Sequence, residues 1–279
     1  MLQAAPRTSI ARRTYASLYN RLRGAMSRHD WLAHALRVVR FGAVAGPLRP
    51  ALIKFCRGRS RNEPVPVRPD SIFRDFDPAA AAASLRAEGY ARGLLLPPEL
   101  VDRLAGHFGP VRSHVLTNPH NDCPAVLEVA HDPGLVDVAR RYLGAEPILY
   151  GTHIWGTPAG TASAHGSRFH FDVPDVKSMV AFFYLCDVDR QATPHVVVRG
   201  THDRKTFRQM LRIYLPDDEA RRSYGDRVTV ITGPRGTGFC EEQTIFHKAL
   251  SGSTKPRVIL AVTYTLRRRP PRSGAVARP

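Results

Sequence analysis

One histidine and one aspartate, His170 and Asp172, stand two residues apart ahead of a long apolar run. In a β-strand, residues i and i+2 point to the same face, so the two side chains would project together. A second histidine from another strand, His247, would complete a set of two imidazoles and one carboxylate. This donor set is typical of non-haem Fe(II) sites, because it leaves coordination positions open. The spacing alone is a weak signal, and the alternative is that His170 is a hydrogen-bonded histidine at a strand end.

Arg257 follows His247 by ten residues and opens an apolar, β-branched run, Val258–Leu266. A guanidinium at the mouth of a buried strand is costly unless an anion pairs with it. A carboxylate of 2-oxoglutarate is such an anion, and a guanidinium can bind it through two parallel hydrogen bonds. Ser253 and Thr254 precede this strand, and they either add hydroxyl contacts to the same cosubstrate or form a polar turn. The sequence therefore predicts a site for Fe(II), 2-oxoglutarate and O2.

Three more residues are candidates for contact with an organic substrate. His153 and Trp155 share one face of a predicted strand. If that face points inward, it lines the active cavity; the alternative is core packing of an aromatic strand. Arg168 stands beside the predicted metal ligands, where it contacts substrate or belongs to a solvated loop. Two other histidines are interpreted as structural or surface residues: His195 and His202.

Cap and turn residues divide most of the chain into short elements. Asp77 and Pro78 predict the start of a helix that Gly89 ends. Helices are predicted at 78–88, 99–108 and 133–143, and within 203–227. Strands are predicted at 90–96, 148–155, 179–186 and 196–198. This succession predicts a mainly β fold with flanking α-helices, a jelly roll or cupin-like barrel.

Long stretches of the sequence resemble the phytanoyl-CoA dioxygenase family of Fe(II)/2-oxoglutarate oxygenases. The similar stretches are Phe169–Asp189, Pro194–His202 and Gly233–Leu266, with weaker similarity in Tyr142–Pro147 and Glu88–Leu96, so the resemblance covers about residues 78–268. It implies a double-stranded β-helix, iron at His170, Asp172 and His247, and 2-oxoglutarate at Arg257. Two positions depart from the family: Ala249 replaces a common serine, and Ala192-Thr193 replaces a common Asn-Gly turn.

The net charge of +17 is concentrated at the two ends of the chain. Residues 1–61 contain 13 Lys/Arg and one acid, residues 267–279 contain five Arg and no acid, and the remainder is neutral. A neutral body with basic ends argues against a nucleic-acid partner and for appendages that meet an anionic surface. The predicted organisation is a basic amphipathic extension (1–61), a linker (62–77), an oxygenase domain (78–268) and a basic disordered tail (269–279).

Residues 1–61 combine apolar positions at helical spacing with many arginines. Such a helix can lie on an anionic membrane surface. The alternatives are that it packs on the β-domain, or that its Arg-rich start is a mitochondrial transit peptide. No apolar run approaches the length of a membrane span.

Four cysteines without paired spacing favour a reducing compartment. We expect a cytoplasmic protein, at the membrane surface if this segment binds lipid.

These features predict a dioxygenase that hydroxylates a small organic or lipid-like substrate, with release of succinate and CO2. The alternative is a catalytically vestigial jelly-roll binding protein, attached to a membrane surface by its basic N-terminus.

Overall fold

The computed structural model describes residues 46–160, 168–203, 205–212, 214–252 and 254–267. Its helices are α1 (Arg49–Gly58), α2 (Pro78–Glu88), α3 (Pro98–Phe108), α4 (Pro124–Ala130), α5 (Pro133–Leu143), α6 (Phe207–Arg212) and α7 (Asp217–Tyr224). Its strands are β1 (Tyr90–Leu95), β2 (Val115–Thr117), β3 (Ile148–Thr157), β4 (Ser178–Tyr184), β5 (His195–Val198), β6 (Val228–Ile231), β7 (Thr237–Glu241), β8 (Phe246–Ala249) and β9 (Arg257–Thr265).

The strands form two antiparallel sheets. The larger has the order β1-β7-β4-β9-β3-β2, and the smaller has the order β6-β5-β8. Non-consecutive strands are neighbours in both sheets, as in a jelly roll, where the chain passes repeatedly between two layers. A cluster of buried apolar residues that includes Phe182, Val197 and Phe239 brings both sheets together. The space between the sheets is called the barrel interior below.

Strand β4 lies in the middle of the larger sheet and is buried on both faces. Val180, Phe182 and Tyr184 point into the barrel interior. Met179, Ala181 and Phe183 point the other way, into the core beneath the helices. The two-residue alternation of a strand therefore serves two cores at once. This agrees with the prediction of a strand that is apolar on both faces.

Helices α2 to α5 cover the outer face of the larger sheet, as their shared core with β4 and β9 shows. The carboxylate of Asp77 accepts hydrogen bonds from the backbone N–H groups of Ala79 and Ala80, which caps α2. Gly89 ends that helix with a left-handed φ of 73°, a conformation that costs glycine little. The predicted bounds of α2 and α5 agree with the structure.

Several elements differ from the sequence predictions. The segment 203–227 contains two helices, α6 and α7, because Pro216 separates them. Strands β2 and β6 and helix α4 were not predicted, since they are short and have no strong cap or alternation signal. The predicted linker, 62–77, contributes Val65 and Phe73 to the main core, so its apolar residues are anchored on the domain.

Helix α1 is attached to the domain through a buried arginine. The guanidinium of Arg49 lies 3.1 Å from a carboxylate oxygen of Glu242 and 3.0 Å from one of Asp203. Arg49 also donates to the backbone carbonyls of Val176 and His202. The part of the predicted extension that is described, 46–61, therefore packs on the domain.

The remaining part, 1–45, and most of the predicted tail lie outside the described residues, so membrane contact through the N-terminus stays a prediction. In the part of the chain that the structure describes, a bilayer-spanning helix is absent.

Replacing Arg49 with alanine is expected to lower the free energy of unfolding by about 3–5 kcal/mol, because it leaves the fully buried Glu242 without its cation. Arg59, exposed at the end of the same helix, is the matched control. Arg59→Ala should change stability by less than about 0.5 kcal/mol. Chemical denaturation measures both variants, and equal stabilities would contradict the anchoring role of Arg49.

Truncation tests the same contact. Removing residues 1–61 is expected to lower the melting temperature more than removing 1–45, since only the longer deletion takes away Arg49. Equal melting temperatures for the two truncated proteins would show that α1 contributes nothing to the stability of the domain.

Candidate metal centre

The two histidines and the aspartate singled out in the sequence come together in the structure. One ligand atom from each of His170, Asp172 and His247 lies within 4.8 Å of the other two. The Nε2 atom of His247 is 3.6 Å from a carboxylate oxygen of Asp172. The two imidazole rings stand edge to face, with 4.5 Å between their centroids. His247 is buried, His170 is half-buried and Asp172 is exposed, so the cluster opens to solvent on the aspartate side.

Local pairing explains how this geometry arises. The segment around His170 is not a regular strand, but His170 and His247 exchange two backbone hydrogen bonds of 2.8 and 2.9 Å. The backbone N–H of Asp172 donates to the carbonyl of Gln243. Phe171, between the two candidate ligands, packs against Phe246 on the opposite side. The i, i+2 relation predicted from the sequence therefore holds for the side-chain directions without a full strand.

Backbone carbonyls orient both imidazoles in the same way. The Nδ1 atom of His170 lies 2.9 Å from the carbonyl oxygen of Arg168. The Nδ1 atom of His247 lies 3.2 Å from the carbonyl oxygen of Ile245. A carbonyl can only accept, so in a neutral imidazole each Nδ1 carries the hydrogen. Each Nε2 then offers its lone pair, which is the form that binds a metal.

A buried glutamate lies behind this cluster. Glu241 Oε1 is 3.4 Å from Nδ1 of His247, and its Oε2 is 2.8 Å from Nε2 of His195. Burial acts to raise the pKa of Glu241, but the two histidines outweigh it and lower the pKa. Burial acts to lower the pKa of His247, but Glu241 and Asp172 raise it to about 9. The cluster is thus electrostatically suited to a cation.

Glu241 was missed at the sequence level. It stands with Glu242 inside an otherwise largely apolar stretch, 238–246, and two acids in such a strand were a signal worth noting. His195 was interpreted as structural or surface, and the structure places it in the barrel interior, stacked on His247 with 5.4 Å between ring centroids. His202 is also buried, and its Nε2 lies 3.2 Å from the carbonyl oxygen of Arg86.

Arg257 is the buried guanidinium of the barrel interior. It precedes Ile259 and Ala261 by two and four residues on β9, and both of these face the interior. Its Nη1 donates to the carbonyl of Thr193 at 2.6 Å, while its Nε is buried without a hydrogen-bond partner. Among the described residues, no carboxylate forms an ion pair with it. Burial lowers the pKa of this guanidinium, which reflects the cost of an unpaired charge.

The candidate substrate residues fall into two groups. His153 and Trp155 pair with Ala261 and Ile259 of β9, and directly paired residues share a face, so both point into the barrel interior. Their rings stack with 5.3 Å between centroids. Arg168 is exposed, with its guanidinium over the ring of Tyr214.

The structure does not support a contact between 2-oxoglutarate and the hydroxyl groups of Ser253 and Thr254. Thr254 is exposed, and its backbone N–H donates to the carbonyl of Gln191. Ser253 lies outside the described residues. Their contact with a cosubstrate stays a prediction.

Two cavities, of about 590 and 670 Å³, lie away from this cluster. Asp203 and Lys205 line both of them. The ammonium of Lys205 lies over the rings of Phe171 and Phe246, which alternate with the candidate ligands and point to the opposite side. These cavities are therefore on the outer side of the segments that carry the candidate ligands.

No protein family model matches the chain. No curated protein sequence matches it either. Solved structures do match. EctD from S. alaskensis aligns with a TM-score of 0.52 and 19% identity, over 74% of this chain and 83% of that chain. EvdO2 from Micromonospora carbonacea var. aurantiaca aligns with a TM-score of 0.55 and 13% identity, over 70% of this chain and 92% of that chain. These likenesses confirm the predicted double-stranded β-helix.

The matching structures were determined with different ligands. One structure of EctD, which aligns with a TM-score of 0.52 at 18% identity over 74% of this chain and 85% of that chain, has bound Fe. Another contains 2-oxoglutarate and 5-hydroxyectoine. The EvdO2 structure is a complex with 2-oxoglutarate.

Replacing His170 or His247 with alanine is expected to abolish stoichiometric Fe(II) binding, because each removes one of three candidate protein ligands. Asp172→Ala should lose most of the iron affinity for the same reason. His202→Ala is the control, since His202 is buried but bonds to a helix carbonyl away from the cluster. Anaerobic metal analysis of the purified variants decides the matter. Full iron content in a folded His247→Ala protein would place the metal elsewhere.

Proposed function

We propose that this protein is an Fe(II)- and 2-oxoglutarate-dependent dioxygenase that oxidises a small organic substrate. One observation carries the proposal: an imidazole–carboxylate–imidazole cluster shares one barrel interior with a buried arginine that has no carboxylate partner among the described residues. The resemblance of the sequence and the ligands of the matching structures point the same way.

The cluster fits Fe(II). Two nitrogen donors and one oxygen donor form a set that favours this metal and leaves positions open for other ligands. His170, Asp172 and His247 would hold it, with the two Nε2 atoms as the nitrogen donors. When bound, iron with 2-oxoglutarate supplies the activation of O2 for substrate oxidation, with release of succinate and CO2.

The barrel interior also fits 2-oxoglutarate. The Nε atom of Arg257 has no hydrogen-bond partner, and a carboxylate would satisfy it and neutralise the buried charge. Arg257 adds to the positive potential at His195, whose ring stacks on His247. His195 thus lies against one candidate metal ligand and within the electrostatic influence of the guanidinium. Arg257 would orient the cosubstrate by its distal carboxylate, and the sheets around it would keep water away.

The same interior offers a substrate surface. His153 and Trp155 form a flat aromatic wall, and Trp155 continues onto Phe182 with 6.2 Å between ring centroids. Such a wall favours an apolar or ring-shaped part of an organic substrate. Hydroxylation is the proposed outcome. The carboxylate of Asp172 would occupy the coordination position that a halide would need, so transfer of a halide is not expected.

Turnover tests the proposal against a vestigial binding protein of the same fold. The purified protein should convert 2-oxoglutarate to succinate in air only when Fe(II) is present, and Asp172→Ala should lose this conversion. Succinate is measured by chromatography. A folded, iron-loaded protein that forms none, with or without candidate substrates, would contradict the enzymatic function.

Arg257→Ala is expected to raise the 2-oxoglutarate concentration needed for half-maximal binding by at least 100-fold, because a charged pair in a buried site is worth about 3–5 kcal/mol. Iron affinity should stay within about threefold. Lys255→Ala is the control, since Lys255 is exposed just before the same strand and pairs with Asp189. Anaerobic titration with 2-oxoglutarate measures both variants. An unchanged requirement in Arg257→Ala would place the anchor elsewhere.

A further inference from the structure

We propose that Glu241 is a positioning residue of the metal centre, a buried carboxylate that holds the imidazole of His247 from the side away from the metal. The inference rests on the proposed function, since it takes His247 as a metal ligand. It adds a residue outside the ligand set and the cosubstrate anchor.

Sheet pairing fixes the direction of the Glu241 side chain. On β7, Glu241 is paired with Tyr90 of β1 and with Val180 of β4. Both partners belong to the apolar cluster of the barrel interior. Directly paired residues share a face, so Glu241 must point inward, toward the end of the barrel that contains His247.

The buried surroundings of Glu241 destabilise its ionised carboxylate unless the two histidines compensate the charge. It is completely buried. Its paired residues on that face are Tyr90 and Val180, and Phe239 precedes it by two residues on the same strand. A buried carboxylate is destabilising unless charges or hydrogen bonds compensate it. The two imidazoles are the compensating groups, at 2.8 and 3.4 Å.

Glu241 contacts the nitrogen of His247 that would not bind the metal, as a ligand role of this histidine requires. Glu241 and the carbonyl of Ile245 both face Nδ1, whereas Asp172 faces Nε2. The carbonyl of Ile245 is the hydrogen-bond acceptor of this nitrogen, and the charge of Glu241, whose Oε1 forms no hydrogen bond, favours a hydrogen at the same atom. The Nε2 lone pair is then directed at the cluster. A carboxylate on the far nitrogen of a ligating histidine fixes the ring and raises its basicity, and loss of such a partner typically costs 10- to 100-fold in metal affinity.

The neighbouring residue provides a matched comparison. Glu242 is buried to the same extent, but it points to the outer side, where it pairs with Arg49 and accepts a hydrogen bond of 2.6 Å from Tyr142. The two glutamates have the same side chain, the same burial and adjacent positions. Glu241 contacts the histidines of the interior, whereas Glu242 contacts the anchor of helix α1.

The experiment compares Glu241→Gln with Glu242→Gln, using Co(II) alone as an optical probe of the metal site. Glu241→Gln is expected to bind Co(II) 10- to 100-fold more weakly than the parent protein and to shift its visible absorption bands, because the ligand field of His247 weakens. Glu242→Gln is expected to keep affinity and spectrum within about twofold, while lowering the melting temperature through the loss of its charge pair with Arg49.

A third variant separates the effect of the carboxylate charge on Co(II) binding from an effect on folding. Glu241→Asp keeps the charge on a shorter side chain, and it should bind Co(II) more tightly than Glu241→Gln and more weakly than the parent. Parental affinity and spectrum in folded Glu241→Gln would overturn the inference while leaving the proposed function intact. Absence of Co(II) and Fe(II) binding by the parent protein would instead overturn the proposed function, and the inference with it.

Discussion

The alternation of side chains along short antiparallel strands is the constraint on which the rest of this structure depends. On β4, β5, β7, β8 and β9, every second residue enters the same barrel interior, and the others enter a separate core or an outer layer. Most interior positions are apolar, but four of them are His195, Glu241, His247 and Arg257; the sheet register places Glu241 and Arg257 toward opposite ends of the larger sheet. A shift of one residue in β5 or β9 would exchange the imidazole of His195 or the guanidinium of Arg257 for an apolar neighbour. The positions of the polar groups are therefore as well determined as the packing of the core.

This constraint also explains how charges can be stable inside the barrel. Glu241, on the larger sheet, is compensated by two imidazoles on strands of the smaller sheet. Arg257 is only partly compensated, by one carbonyl. A barrel of purely apolar residues would be easier to stabilise, since each buried charge has a desolvation cost. Among the described residues the guanidinium has no carboxylate partner, which agrees with its proposed role in binding 2-oxoglutarate.

Local signals in the sequence accounted for much of the fold. Asp77 and Gly89 delimit α2 because capping and left-handed φ depend on a few neighbouring residues. The ligand spacing of His170 and Asp172 was also local, so the triad could be proposed from the sequence. Glu241 and Arg49 could not, because their roles depend on partners brought together by the sheet register and by contacts more than 150 residues apart. Likewise, the polar composition of residues 62–77 suggested a linker, whereas two apolar side chains anchor it in the core.

Glu241 and Glu242 show how one strand end can serve two purposes. Adjacent residues on a strand must point to opposite sides, so two acids in succession place one carboxylate in the barrel interior and one on the outer side. The outer carboxylate pairs with Arg49 and thereby connects helix α1 to the same strand end that carries Glu241. The two carboxylates face opposite sides, so the contact that anchors α1 and the contact behind His247 are separate, and α1 contributes no candidate ligand to the metal centre.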